Sequence, residues 1–127
     1  MGWLYVATGG ALGALLRFGL TGWVQELTAG TFPWGTLTVN VLGSLVLGFT
    51  VVWLEGAVAS VELRQFATIG VLGAFTTFST FSYEAVALLR DGDAWAAGGY
   101  VAGSVVVGLV GALAGMALAT VLLLPRG

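Results

Sequence analysis

The polar residues of this chain lie within long apolar stretches, and their spacing suits the passage of an ion better than a reaction. Thr36, Asn40 and Ser44 recur at i, i+4 and i+8 among Leu, Val and Phe, with Gly43 beside them, so one helical face is polar and must point away from lipid. Asn40 offers N–H donors without a formal charge, which suits a partly dehydrated anion that has to bind and also leave. An interhelical hydrogen bond is the simpler use of the same amide. Downstream runs Gly70-Val71-Leu72-Gly73-Ala74-Phe75-Thr76-Thr77-Phe78-Ser79-Thr80-Phe81-Ser82. Glycines followed by hydroxyls that compete for backbone hydrogen bonds predict a helix break at mid-membrane. A break frees carbonyls able to hold a cation and exposes helix ends whose dipoles act on ions. Beyond it Thr76, Thr80 and Glu84 fall on one helical face, and Phe75, Phe78 and Phe81, at i, i+3 and i+6, on a neighbouring one. Aromatic edges carry partial positive charge, so this stripe either packs a core or turns its edges to a small anion.

Arg17 lies deep in the first apolar stretch, where a charge costs at least ~2.5–3.5 kcal/mol. It either makes an electropositive vestibule for an anion or snorkels and binds carbonyls at a helix end. Glu84 is its acidic counterpart: the two pair, or Glu84 meets water near the end of its span. Other chemistry is poorly provided for. The chain has no Cys and no His, which removes disulfides, thiolate metal sites, cysteine nucleophiles and the usual general base. With four Arg, no Lys and a net charge of −2 it has no surface for nucleic acid. No nucleotide-binding loop and no obvious proton relay accompany the polar track. The reading is therefore a non-enzymatic, passive pathway for a small anion.

These residues need helices to position them. Hydrophobic residues make up 58% of the chain and charged ones 8%, against roughly 25% charged in a soluble domain. The uncharged runs place four spans near 3–24, 33–54, 65–89 and 95–123, within a single transmembrane domain over 1–127. Trp3 and Trp23 bracket the first span, Trp34 and Trp53 the second, and Trp95 opens the fourth, as in an interfacial aromatic belt. The runs are continuous and far longer than the ~10-residue alternating segments of a barrel, so the fold is all-α. The first stretch lacks a basic flank and a cleavage signal and is expected to remain as a span. Connections are short, near Gln25 to Phe32, Glu55 to Arg64 and Arg90-Asp91-Gly92-Asp93. With the N-terminus inside, Arg64 and Arg126 face Arg90 across the membrane, a weak bias that would allow insertion both ways and an antiparallel dimer. The pair Gly9 and Gly13, and Gly108, Gly111 and Gly115 continuing the face of Tyr100 and Ser104, suit close helix packing.

Three strings in register carry a resemblance. They are Gly9-Gly10-Ala11-Leu12-Gly13-Ala14-Leu15-Leu16-Arg17-Phe18, then Gly35-Thr36-Leu37-Thr38-Val39-Asn40, then Gly73 to Glu84 with its Thr-Thr-Phe-Ser-Thr-Phe-Ser core. Over essentially its whole length the chain resembles the Fluc, or CrcB, family of fluoride channels. The resemblance implies a multi-pass protein of the inner (cytoplasmic) membrane that exports fluoride passively and relieves its toxicity. It implies four helices with a break in the third, assembled as an antiparallel dual-topology homodimer in membrane lipid. It further implies that Phe78 and Phe81 are pore phenylalanines, that Asn40 is the pore asparagine, and that Ser79 and Thr80 supply hydroxyls. Tyr100 and Ser104 match pore-facing positions of the fourth helix, while Arg17 lies near the vestibule and Glu84 near one pore end. A structural sodium ion at the dimer interface, with no organic cofactor, maps onto the backbone carbonyls of Gly73 and Thr76. Gly108 departs from the family, where a hydroxyl residue is frequent. A small multidrug-type, dual-topology, proton-coupled transporter is the rival of similar size, but it needs a carboxylate in the first span, where this chain has Arg17. A non-transporting structural subunit would leave Arg17, Asn40 and the hydroxyl–Phe segment unexplained.

Overall fold

The computed structural model describes residues 1–123 and is helical almost throughout. Helices α1 (Gly2–Thr28) and α2 (Trp34–Gly56) are followed by an interrupted third crossing. This comprises α3 (Val61–Arg64), a π-helical stretch (Gln65–Leu72), α4 (Gly73–Phe75) and α5 (Phe78–Arg90), and the chain returns along α6 (Ala94–Leu123). Of these, α1, α2 and α6 are long and apolar enough to cross a membrane unaided. The third crossing is made in pieces, α5 having 13 residues, short of the roughly 20 that one span needs. The chain is a multi-pass, all-α membrane protein. All five tryptophans are exposed on its outside. Arg126, counted above in the charge bias, lies outside the described residues.

The ends of the elements follow from local chemistry. Helix α1 continues to Thr28, a turn beyond the expected limit, and stops at Ala29, whose φ of 46° is left-handed. Gln25 then folds back over the connection: its Nε2 donates to the carbonyls of Gly30 at 2.8 Å and Phe32 at 3.1 Å, and its Oε1 accepts from the Gly35 N–H at 3.3 Å. One side chain thus satisfies three backbone groups between α1 and α2. The third crossing begins at Val61, earlier than expected, because the Ser60 Oγ accepts from the Leu63 N–H at 3.2 Å and caps it. Arg64 reaches back to the end of α2, donating to the carbonyls of Leu54 at 3.1 Å and Ala59 at 3.3 Å. A cation at a helix C-terminus is favourably placed. The last turn is as expected, with Gly92 at φ 85° and Asp93 Oδ1 accepting from the Ala96 N–H at 2.9 Å.

Lipid gives helices no hydrophobic reason to associate, so contact depends on close packing. Helix α1 lies along the third crossing, where Gly9 meets Phe66 and Gly70, and Gly13 meets the Val71 carbonyl too closely for any Cβ. Helix α6 lies along α2, with Gly111 against the Val41 carbonyl and Gly115 against that of Leu45. Both glycine stripes are therefore packing faces. Gly108 differs, since there a Cβ would have room beside the Ser44 hydroxyl. Gly13→Val is expected to force α1 off the third crossing at a cost of about 3 kcal/mol. Thermal unfolding in detergent checks this, and a variant melting with the wild type would show that the contact is soft.

Candidate functional site

The site is built around two extended residues. Thr76 (φ −85°, ψ 159°) and Thr77 (φ −150°, ψ 115°) leave the helix between α4 and α5. The break was expected around Gly70 and Gly73, but both remain helical, Gly70 being held against α1. Competition for backbone groups falls at Thr77 instead. Its N–H donates to Asn40 Oδ1 at 2.7 Å, and its carbonyl accepts from Asn40 Nδ2 at 3.0 Å, so one amide from α2 pairs with both backbone groups of one residue. The Thr77 Oγ1 meanwhile accepts from the Thr80 N–H at 3.2 Å and caps α5. These diversions have a consequence for two carbonyls. In an unbroken helix Gly73 would accept from the Thr77 N–H and Thr76 from the Thr80 N–H. Both donors are engaged elsewhere, which frees the Gly73 and Thr76 carbonyls from the helical ladder.

Beside the break opens a cavity of about 280 Å³ whose lining includes Asn40, Ser44, Thr76, Phe78, Phe81 and Ser104 and no charged residue. One hydrogen of Asn40 Nδ2 remains after the pairing with Thr77. The Ser44 Oγ donates to the Asn40 carbonyl at 2.7 Å, but the Ser104 Oγ is buried with no hydrogen-bond partner among the described residues. Phe78 is 80% exposed. Its ring centre stands 5.7 Å from that of Phe81, which in turn stands 5.2 Å from that of Tyr100. Tyr100 itself is fully buried behind Phe81 in a cluster with Ala85, Leu88 and Ala97, and does not line the cavity. Ser79 is exposed and stands off the cavity, its Oγ 3.4 Å from that of Thr77. The three-phenylalanine stripe is corrected: Phe75 is buried against Gly43 on the far side of the break, because helical spacing does not carry across extended residues.

A second cavity of about 340 Å³ lies on the α1 side, lined by Arg17, Thr21, Thr36, Thr77 and Thr80 among others. Glu84 is held by α2 and α6: Thr36 Oγ1 donates to Oε1 at 2.8 Å and the Tyr100 hydroxyl to Oε2 at 2.7 Å. The carboxylate is thus satisfied by hydroxyls rather than by the Arg17 guanidinium. The predicted site residues therefore separate into two groups, Asn40, Phe78, Phe81 and Ser104 on one side of the break, and Arg17 and Thr80 on the other. Thr76, Thr80 and Glu84, expected on one face, are divided by the break, and the Thr76 Oγ1 returns to the Leu72 carbonyl at 3.2 Å.

The CrcB-like protein family, described as camphor resistance, matches residues 4–116. The chain belongs to the CrcB family. A Thermus thermophilus relative named fluoride-specific ion channel FluC is 51% identical over 117 residues, covering 91% of each chain. Relatives of the same name from Opitutus terrae and Syntrophotalea carbinolica are 52% identical over 111 residues and 48% over 117. These matches cover 85% and 91% of this CrcB chain, and 84% and 95% of the relatives. One position of the site escapes sequence reasoning in this CrcB protein: Thr77 reads as one hydroxyl of many until its backbone is seen paired with Asn40.

Proposed function

We propose that this CrcB-family chain is a fluoride-selective channel, passive and non-enzymatic, that lets fluoride leave the cytoplasm across the cytoplasmic membrane. The reading rests chiefly on the uncharged cavity at the break, where Asn40, Phe78, Phe81 and the unpartnered Ser104 hydroxyl converge. The relatives' printed name, fluoride-specific ion channel, supports it. Fluoride is small and strongly hydrated, so a pathway must replace its water with donors and offer it no carboxylate. The free hydrogen of Asn40 Nδ2, the Ser104 hydroxyl and the ring edges of Phe78 and Phe81 are such donors. Ser79 and Thr80 extend the hydroxyl track, Glu84 and Tyr100 anchor one end of it from behind, and Arg17 provides an electropositive approach.

The assembly in this reading is an antiparallel, dual-topology homodimer. Phe78 is 80% exposed, and Ser79 and Thr80 beside it are exposed too. Hydroxyls on lipid at this depth are costly, and a second copy would cover them and complete the pathway. The freed carbonyls of Gly73 and Thr76 suit a hard cation such as sodium, and Gly73 lies on an exposed face where two copies could share it. There the ion would supply fixed positive charge at the dimer interface. Purified protein in liposomes, loaded with fluoride or chloride, tests the whole reading. Fast release at a fluoride electrode without release at a chloride electrode is the expected result. Absence of fluoride release from dimeric, inserted protein overturns it, and proton-coupled efflux of cationic dyes would then favour a multidrug-type transporter.

A further inference from the structure

Helices α2 and α5 end in the same backbone arrangement with opposite side-chain chemistry. After α5, the N–H groups of Asp91, Gly92 and Asp93 donate to the carbonyls of Ala87, Leu89 and Leu88 at 3.0, 3.1 and 3.0 Å, and Gly92 is left-handed at φ 85°. After α2, the N–H groups of Ala57, Val58 and Ala59 donate to the carbonyls of Trp53, Glu55 and Leu54 at 2.9, 3.3 and 3.1 Å, and the left-handed residue is Val58 at φ 50°. Glycine adopts this conformation freely, whereas a β-branched residue is strained in it. Val58 is the one β-branched residue with a positive φ among the described residues. Its side chain is 87% exposed, so packing within the chain does not offset the strain.

The surroundings of the two residues differ in the same sense. Gly92 stands between Asp91 and Asp93, and Val58 between Ala57 and Ala59, with Val61 and Leu63 exposed just beyond. Arg64, the one cation nearby, is turned inward and donates to the carbonyls of Leu54 at 3.1 Å and Ala59 at 3.3 Å, while its own N–H donates to the Ser60 carbonyl at 3.1 Å. The connection thus pairs much of its own backbone, as a segment against lipid must and a segment in water need not. Trp53, exposed in the last turn of α2, joins this apolar surface to the aromatic belt. Glu55 and Glu62 are exposed as well, which keeps the segment at the membrane boundary and out of the hydrocarbon interior.

We propose that the α2–α3 connection is an anchor in the bilayer interface, with Val58, Val61 and Leu63 entering the boundary between lipid headgroups and acyl chains. Burial of Val58 in lipid offsets the strain that nothing in the chain offsets. The third crossing starts at Val61 and is made in pieces, so its entry takes its depth from this anchor rather than from the length of one rigid helix. The proposal holds whatever ion the protein passes. Because the chain has no Cys, Val58→Cys, Val61→Cys and Asp91→Cys can each carry a single nitroxide label, in protein reconstituted into liposomes of phosphatidylethanolamine and phosphatidylglycerol. Collisions of the label with oxygen report lipid, and collisions with a water-soluble nickel chelate report water. The label at Val58→Cys is expected about 5–10 Å inside the headgroup boundary, open to oxygen and closed to nickel, and that at Asp91→Cys the reverse. A label at Val58→Cys as open to nickel as that at Asp91→Cys overturns the anchor. A label closed to both reagents overturns it too, since that face is then covered by protein such as a second copy. Should Val58→Cys not assemble, Val61→Cys, on helical backbone, decides by the same outcomes.

Discussion

Asn40→Asp is expected to reduce fluoride efflux by at least about a hundredfold, through two separate losses. The first is in the pathway. The Asn40 side chain lines a cavity that includes no charged residue, and a carboxylate there would repel the anion it should pass. The second is in the backbone. Asn40 Nδ2 donates to the Thr77 carbonyl at 3.0 Å, and aspartate would set an oxygen against that oxygen while still accepting from the Thr77 N–H. Asn40→Leu separates the two losses, because it adds no charge yet leaves both backbone groups of Thr77 unpaired. It is expected to lower the stability of the purified protein by about 2 kcal/mol or more, seen as earlier thermal unfolding. If Asn40→Leu melts with the wild type and only conduction suffers, the amide serves the ion and not the break. If Asn40→Asp conducts normally, neither role survives.

How far the sequence disclosed this arrangement depends on which physical signal each residue carries. Apolar length and tryptophan position announced four crossings, because hydrocarbon thickness constrains them directly. Glycine stripes at 9 and 13 and at 111 and 115 announced helix contacts, because close approach in lipid needs missing side chains. The place of the break was less legible. Glycine and hydroxyl residues fill the segment from Gly70 to Ser82, and each weakens a helix; what selects Thr77 is an amide 37 positions away on α2. Once two residues are extended, helical phase starts again, so Phe75 turned into the core while Phe78 stayed outside. Glu84 shows the same restriction. Its charge suggested Arg17 or water as the partner, whereas two hydroxyls from α2 and α6 took both oxygens. Spacing along one helix gives a face, and only packing says what that face meets.

Phe81→Ile tests whether ring edges carry the ion, and is expected to cut fluoride efflux by about a hundredfold or more with assembly unchanged from the wild type. The ring is only half-buried: one side rests on Tyr100 at 5.2 Å between ring centres, and the other reaches the cavity toward Phe78 at 5.7 Å. Isoleucine keeps most of the apolar packing on the Ala85, Leu88, Ala97 and Tyr100 cluster but has no positive edge to offer. The cost in packing should be about 1–2 kcal/mol, less than the loss of a whole aromatic side chain, so folding is expected to survive. Phe78→Ile is the companion, since a ring 80% exposed contributes almost nothing to the fold of one copy, and once assembly has been checked any fall in efflux there reports on the pathway. Size-exclusion chromatography checks assembly of both variants before flux is measured. If both assemble and conduct like the wild type, the ring edges are packing surfaces, and the anion is carried by the Asn40 amide and the hydroxyls at the break.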